Sequence, residues 1–304
     1  MHTPRSSRAA TDAQTRRVER AARRKAFRAL HERGCFVMPN PWDIGSALYL
    51  QRLGFPALAT TSAGFAFSQG LPDTGGDAVP ARDRALAHIE SIAGAVDLPV
   101  SADFMSGYGQ EPEDVAGSVT LCVATGVAGL SIEDGTGDAA SPLYDLTNAV
   151  ERVRAAREAI DQSGEDVVLT ARTECYLVGH PDPFRESVRR LQAYVAAGAD
   201  VLFAPGQLAL AEIEAVVAAI APRPLNLLVA RDVGLRLEEI AALGVRRVSL
   251  GGALALAAWT GFMRAAHKLK SEGSFEGLAN LVPYAEVNDM LATDLAARQN
   301  RHGR

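Results

Sequence analysis

Lysine is almost missing from this chain. It occurs only at positions 25, 268 and 270, all in stretches that read as helix near the two ends, so none is placed to form a Schiff base in a central pocket. Histidine is nearly as scarce where it would matter, because only His180 stands just beyond a strand-like run. A zinc site built from imidazoles is therefore not expected. Cys35, Cys122 and Cys175 lie far apart with no CxxC pair, which excludes a disulfide framework and fits a reducing cytoplasm. No apolar run approaches the roughly 18 residues of a membrane span. Whatever chemistry the chain performs falls to carboxylates, arginine, hydroxyls and backbone.

A basic surface is also lacking. The net charge is -5, so nucleic acid is not an expected partner, and neither is a membrane. The arginines between Arg5 and Arg28 are the one local exception. They read as a disordered basic tail over 1–20 leading into a helix over 21–33, and Asp12 and Glu19 interrupt the tail in a way a transit peptide would not. With 48% hydrophobic and 22% charged residues, the remainder, 21–304, is globular and reads as a single domain.

What is present is a repeat of short apolar runs, at 35–40, 57–62, 100–104, 129–134, 167–172, 201–206, 225–230 and 245–251. Each is too short for a helix and is bounded by turn residues, as expected of parallel strands buried on both faces. Helical stretches separate them. Several close on a glycine just before the next strand, at Gly54, Gly126, Gly198 and Gly244, where a left-handed residue ends a helix. Pro112 followed by Glu113 and Asp114 marks a helix start. Eight strands alternating with helices predict an α/β fold of the closed (β/α)8 type. The alternative, an open doubly wound sheet, would need spaced glycines after its first strand, and Asn40, Pro41, Trp42 and Asp43 stand there instead. Further helix is expected over 275–295, interrupted by Pro283.

Active sites in such barrels lie at the carboxyl ends of the strands. Those ends carry Thr60, Thr61 and Ser62 on strand two, Asp103 on strand three, Glu133 and Asp134 on strand four, and Arg172, Thr173 and Glu174 on strand five. Asp103 and Glu133 are expected at equivalent depth on neighbouring strands. Each acid alone would as readily cap a helix or pair with an arginine, but two together in one mouth call for a neutralising cation. Oxygen ligands without imidazole favour Mg2+, with Mn2+ the alternative. Arg172 either pairs with those acids or grips a substrate carboxylate. Thr61 and Ser62 either bind substrate or finish a strand, and Trp42 and Asp43 either wall the pocket or cap a helix. His180 reads as a surface loop residue, Cys122 and Cys175 as packing.

These residues resemble the isocitrate lyase and phosphoenolpyruvate mutase superfamily over about 27–273. The resemblance rests on Asn40 to Asp43, Thr60 to Gly64 with Gly70 to Asp73, Ser101 to Gly109, Ser131 to Asp134 and Ala171 to Glu174, in that order. It implies a magnesium-dependent barrel, tetrameric, with the helix after strand eight exchanged between subunits. It further implies that Asp103 binds magnesium directly, that Asp73 and Glu133 hold it through water, that Arg172 grips the substrate, and that Thr61 and Ser62 receive a pyruvyl unit. Two positions depart from the family pattern. Met105 stands where a second acid is common, and 135–144 lacks the lysine, cysteine and histidine with which isocitrate-cleaving members work. The expected activity is a carbon–carbon lyase acting on a small α-keto or α-hydroxy dicarboxylate through an enolate, with water or Tyr108 as proton donor. A carbon–phosphorus bond enzyme and a non-catalytic keto-acid-binding barrel are the alternatives.

Overall fold

The computed structural model describes residues 5–73, 80–206 and 208–302. Its first element is a long helix, α1 (Arg5–Leu30), followed by β1 (Phe36–Met38), α2 (Ile44–Arg52), β2 (Leu58–Ala59), α3 (Ser62–Ser68), α4 (Arg82–Ala95) and β3 (Val100–Asp103). Next come α5 (Pro112–Ala124), β4 (Gly129–Glu133), α6 (Leu146–Ser163), β5 (Val168–Arg172), α7 (Pro183–Ala196) and β6 (Val201–Phe203). The chain finishes with α8 (Leu210–Ile220), β7 (Leu225–Leu228), α9 (Leu237–Ala242), β8 (Arg247–Ser249), α10 (Ala253–Glu272) and α11 (Tyr284–His302).

The eight strands form one parallel sheet in the order β1-β8-β7-β6-β5-β4-β3-β2. Its two edges meet where the Ala59 amide donates to the Pro39 carbonyl at 3.0 Å, so the sheet curls into the expected (β/α)8 barrel. Outward-facing Ala102, Leu130, Ile132, Leu169, Leu202 and Val248 pack on the helices in the main core. The helices end on Gly54, Gly126, Gly198 and Gly244 with φ between 82° and 100°, as the sequence leads one to expect. Pro112 opens α5 with Glu113 and Asp114 in its first turn.

The amino-terminal stretch differs from the sequence reading. The helix starts at Arg5 rather than near residue 21, so 5–20 is not an unstructured tail. Alanine and arginine are good helix formers, and the arginines toward the end of the helix are held. Arg20 donates to the Ala124 carbonyl at 3.2 Å, Arg23 to Val96 at 2.9 Å, and Arg24 to Val123 and Val127, each at 3.0 Å. The Val96, Val123 and Ala124 carbonyls lie at the carboxyl-terminal ends of α4 and α5, where cations are favoured, and that of Val127 lies just before β4. A second, smaller core seals the barrel floor, with Phe27 of α1 against Phe36, Ala57, Ala128, Val168 and Val201. Gly129 makes this possible, because a Cβ there would fall 2.6 Å from the Phe27 ring. Beyond α10, a short turn at Glu276–Leu278 precedes α11, which begins immediately after Pro283.

Candidate active site

The mouth of the barrel is organised around Arg172, the last residue of β5. Its Nη1 lies 3.2 Å from Glu133 Oε2 and 3.6 Å from Asp103 Oδ1, while Nε and Nη2 reach the two oxygens of Glu174 at 2.5 and 3.2 Å. Asp103 and Glu133 are not level, as the sequence reading supposed. Asp103 pairs in register with Ser131, and Glu133 with Arg172, because neighbouring strands of a barrel are staggered. The long arginine spans that step. Burial pushes the Glu133 carboxyl up; Arg172 opposes the rise, and Glu174, Asp103 and Asp73 add to it. Asp73, at the rim, is also raised by burial and by Asp103, against a hydrogen bond from Ser62. Three carboxylates thus share one guanidinium with Asp73 beside them, an excess of negative charge that a low-dielectric mouth disfavours.

Asp134 behaves differently from its neighbour Glu133. It points away from the mouth, accepting from the Glu174 amide at 2.8 Å, Arg190 at 3.0 Å and the Tyr194 hydroxyl at 2.6 Å. Its charge is fully matched, and it fixes the turn that carries Glu174.

The residues expected to receive substrate are placed unevenly. Thr61 and Ser62 border the central cavity, but Thr61 Oγ1 accepts from the Gly64 amide as the cap of α3. The Ser62 amide donates to Asp103 Oδ2 at 2.8 Å. Tyr108 lines the outer cleft and is tilted against Phe104, 5.0 Å between centroids. Burial and Asp103 raise its pKa, which makes it a weaker proton donor than a free phenol. Trp42 is not part of either cavity lining. It packs beside Gly64, where a Cβ would fall 2.8 Å from its own, and Asp43 caps α2 through the Ser46 amide at 2.7 Å. His180 lies beyond these linings, and Cys122 and Cys175 are buried free thiols.

Two connected spaces meet at Arg172. An outer cleft of about 800 Å3 runs along Tyr108, Tyr144, Leu177 and Val178. Its wall includes 135–144, which folds on itself through a Gly135–Leu143 bridge and a Thr136 amide bond to the Pro142 carbonyl at 3.0 Å. The inner cavity, about 190 Å3, descends into the barrel past Ser101, Ser131, Asn226, Ser249 and Arg247. Those polar residues escaped the sequence reading. They alternate with apolar ones along β3, β4, β7 and β8, which is the signal of a polar shaft inside a barrel, but each strand read alone looks merely apolar.

As to a metal, no three His, Cys, Asp or Glu side chains among the described residues enclose an ion by themselves. Asp103, Glu133 and Asp73 all border the mouth, and an all-oxygen, acid-rich set of this kind suits an ion that keeps most of its waters.

Comparison with known proteins places this geometry. The phosphoenolpyruvate phosphomutase family profile matches residues 27–270. A Burkholderia cenocepacia crystal structure provisionally described as a lyase/mutase is 46% identical, covering 90% of this chain and 98% of that one, with a TM-score of 0.85. A crystal structure of 2,3-dimethylmalate lyase is 28% identical over 94% of this chain and 99% of that one, TM-score 0.80. The 2-methylisocitrate lyase of Escherichia coli is 34% identical over 192 residues, 59% of this chain and 60% of its own length.

Proposed function

The chain belongs to the phosphoenolpyruvate mutase and isocitrate lyase superfamily, whose members are lyases or mutases, and on that premise we propose that it is a carbon–carbon lyase. Its substrate is a small α-keto or α-hydroxy dicarboxylate, cleaved by decarboxylation or retro-aldol chemistry to a pyruvate-like enolate. The observation that carries this reading is the excess of carboxylate at the mouth: Asp73, Asp103, Glu133 and Glu174 around the single Arg172.

Asp103 would hold Mg2+ directly, with Glu133 and Asp73 acting through water, and Mn2+ would substitute. Bound there, the ion supplies charge stabilisation for an enolate oxygen. Arg172, relieved of part of its acidic company, turns its donors to a substrate carboxylate in bidentate fashion. The Ser62 amide keeps Asp103 oriented, and the Asp134 network keeps Glu174, and through it Arg172, in place. Water entering by the outer cleft, or Tyr108 on its wall, protonates the product enolate. Nothing in 135–144 offers a cysteine acid, which favours a cleavage that needs none.

The same reading includes a homotetramer. Trp259, Phe262 and Met263 of α10, with Leu281, Val282 and Tyr284 beyond it, are 40% to 85% exposed, a larger apolar area than a monomer ordinarily leaves to water. Second copies of the chain would cover it, and light scattering after gel filtration tests this. The activity is tested with oxaloacetate, 2-methylisocitrate, 2,3-dimethylmalate and phosphonopyruvate, each with Mg2+, and product analysis. Turnover of a carbon–carbon substrate is expected. Turnover of phosphonopyruvate alone, or of none, refutes the lyase reading.

A further inference from the structure

Arg247 stands inside the barrel on β8, 2% exposed and facing the inner cavity. Arg24, Arg172 and Arg190, buried at the floor and mouth, each have a carboxylate, and Arg152 has the Ser106 and Gln110 carbonyls; Arg247 has neither kind of partner. Nε donates to Asn226 Oδ1 at 2.8 Å, Nη2 to Thr170 Oγ1 at 3.0 Å, and Nη1 lies 3.3 Å from His31 Nε2. All three partners are neutral groups. His31 is neutral because its Nδ1 lies 2.8 Å from the Phe27 carbonyl, leaving Nε2 as the acceptor, and because burial and Arg247 pull its pKa down to about 3. No carboxylate pairs with Arg247 among the described residues, and burial alone lowers its pKa, to about 9. It therefore stays charged at neutral pH, with N–H donors left over from the five a guanidinium carries.

The surroundings are built for an anion rather than for a sealed core. Ser101, Ser131 and Ser249 line the shaft above the guanidinium, and the Asn226 amide donates to Ser249 Oγ at 2.9 Å. A single water needs only about 10–15 Å3 on the same measure, and the cavity has about 190 Å3. Thr170, which Arg247 touches, lies two residues before Arg172 on β5. Two strand residues rise about 6.6 Å, a gap that a short dicarboxylate bridges at roughly 1.5 Å per carbon–carbon bond.

We infer that Arg247 forms a second anion subsite on the barrel axis, which takes the far carboxylate of a dicarboxylate whose near end sits at the mouth. This deepens the proposed function and rests on it for the near end. It explains how one barrel distinguishes dicarboxylates from monocarboxylates: the mouth selects for chelation, and the shaft for length and a second charge.

The test compares succinate with butyrate by calorimetric titration of the full-length protein in Mg2+, since the two differ in one terminal carboxylate. Wild type should bind succinate at least about tenfold more tightly. Arg247→Met should erase that preference and leave butyrate affinity within about twofold, while Arg247→Lys keeps part of it. Should Arg247→Met fail to fold, Asn226→Asp supplies a competing carboxylate with the arginine in place, and it should also abolish the preference. A folded Arg247→Met or Asn226→Asp protein that still prefers succinate, or a wild type with no preference, overturns the subsite. So does chloride that occupies Arg247 without competing with succinate, which would make this a structural halide site. Because binding is read apart from turnover, the two readings fail separately. A succinate preference that depends on Arg247 in a protein that turns nothing over sinks only the lyase, and turnover with a preference independent of Arg247 sinks only the subsite.

Discussion

The floor and the mouth of this barrel are both dense in charge, yet they balance it in opposite ways. At the floor, Arg24 meets Glu165 and the Val123 and Val127 carbonyls, and Arg28 and Arg157 share Asp200, which also accepts the Leu169 amide at 2.9 Å. Each charge has its partner within the chain. At the mouth, three acids lean on Arg172 with Asp73 close by, and Glu133 and Asp73 are pushed toward their protonated forms. A matched network serves stability and is complete as it stands. An unmatched one is stable only with something added, which is how a site differs from a scaffold built of the same residue types.

The sharpest way to break that contrast is at Asp103. If the mouth is a metal site, Asp103→Ala lowers Mg2+-dependent turnover by at least about 1000-fold with little change in melting temperature, because removing one acid relieves repulsion among the others. Initial-rate assays with Mg2+ and thermal melts check both halves. Unchanged turnover would place the chemistry elsewhere.

The floor should show the reverse. Arg24 is 2% exposed, and Arg24→Ala strands Glu165 and the carbonyls of Val123 and Val127. A loss of about 3 kcal/mol is expected, read by urea denaturation, while kcat of the protein that remains folded is unchanged. A fall in kcat at full folding would show that floor and mouth are coupled.

Met105 tests how incomplete the mouth is. It adopts φ 50° in the loop after β3, a conformation that aspartate tolerates better than most residues, so Met105→Asp adds an acid without added strain. Mg2+ should then bind about tenfold more tightly, measured by calorimetric titration. No gain would mean that the ion does not reach this side of Asp103.

Much of this was legible from residues alone. The eight strands and the glycines that end the helices follow local rules of burial and left-handed geometry, and Asp103, Glu133 and Arg172 stand at strand ends where barrel sites lie. Three things were not legible, each for a physical reason. The stagger that offsets Asp103 from Glu133 depends on how the sheet closes, which no single strand encodes. The arginines of α1 look like a solvated tail until the helix ends they cap are placed beneath them. Arg247 is one of two adjacent arginines opening a strand-like run, and its missing counter-charge appears only when the inward faces of five strands are viewed together. For Trp42 the sequence leaves two readings open, pocket wall or helix start, and its amide donates to Ser46 Oγ at the start of α2.

The smallest expected effect joins the two regions through pH. His31 hangs from α1 beneath Arg247, its ring edge-on to Phe27 and Phe36 at 4.8 and 5.1 Å. Its pKa in the folded chain is pulled to about 3 from an ordinary 6.5. Between those values the unfolded chain takes up a proton that the folded chain refuses, so this contribution to stability is complete above pH 6.5 and is lost as pH falls through the window. Glu133 works in the other direction: its raised carboxyl binds a proton more readily when folded, so its part grows as pH falls. A simple acid titration therefore mixes floor and mouth. Subtracting a variant separates them: His31→Gln keeps an acceptor for Arg247 and does not titrate. Relative to that variant, wild type should lose about 0.7 kcal/mol between pH 7 and pH 6, measured by urea denaturation at the two pH values. Parallel curves would mean that His31 is not held neutral against Arg247, and the cation on the barrel axis would then have to be balanced from somewhere other than the floor.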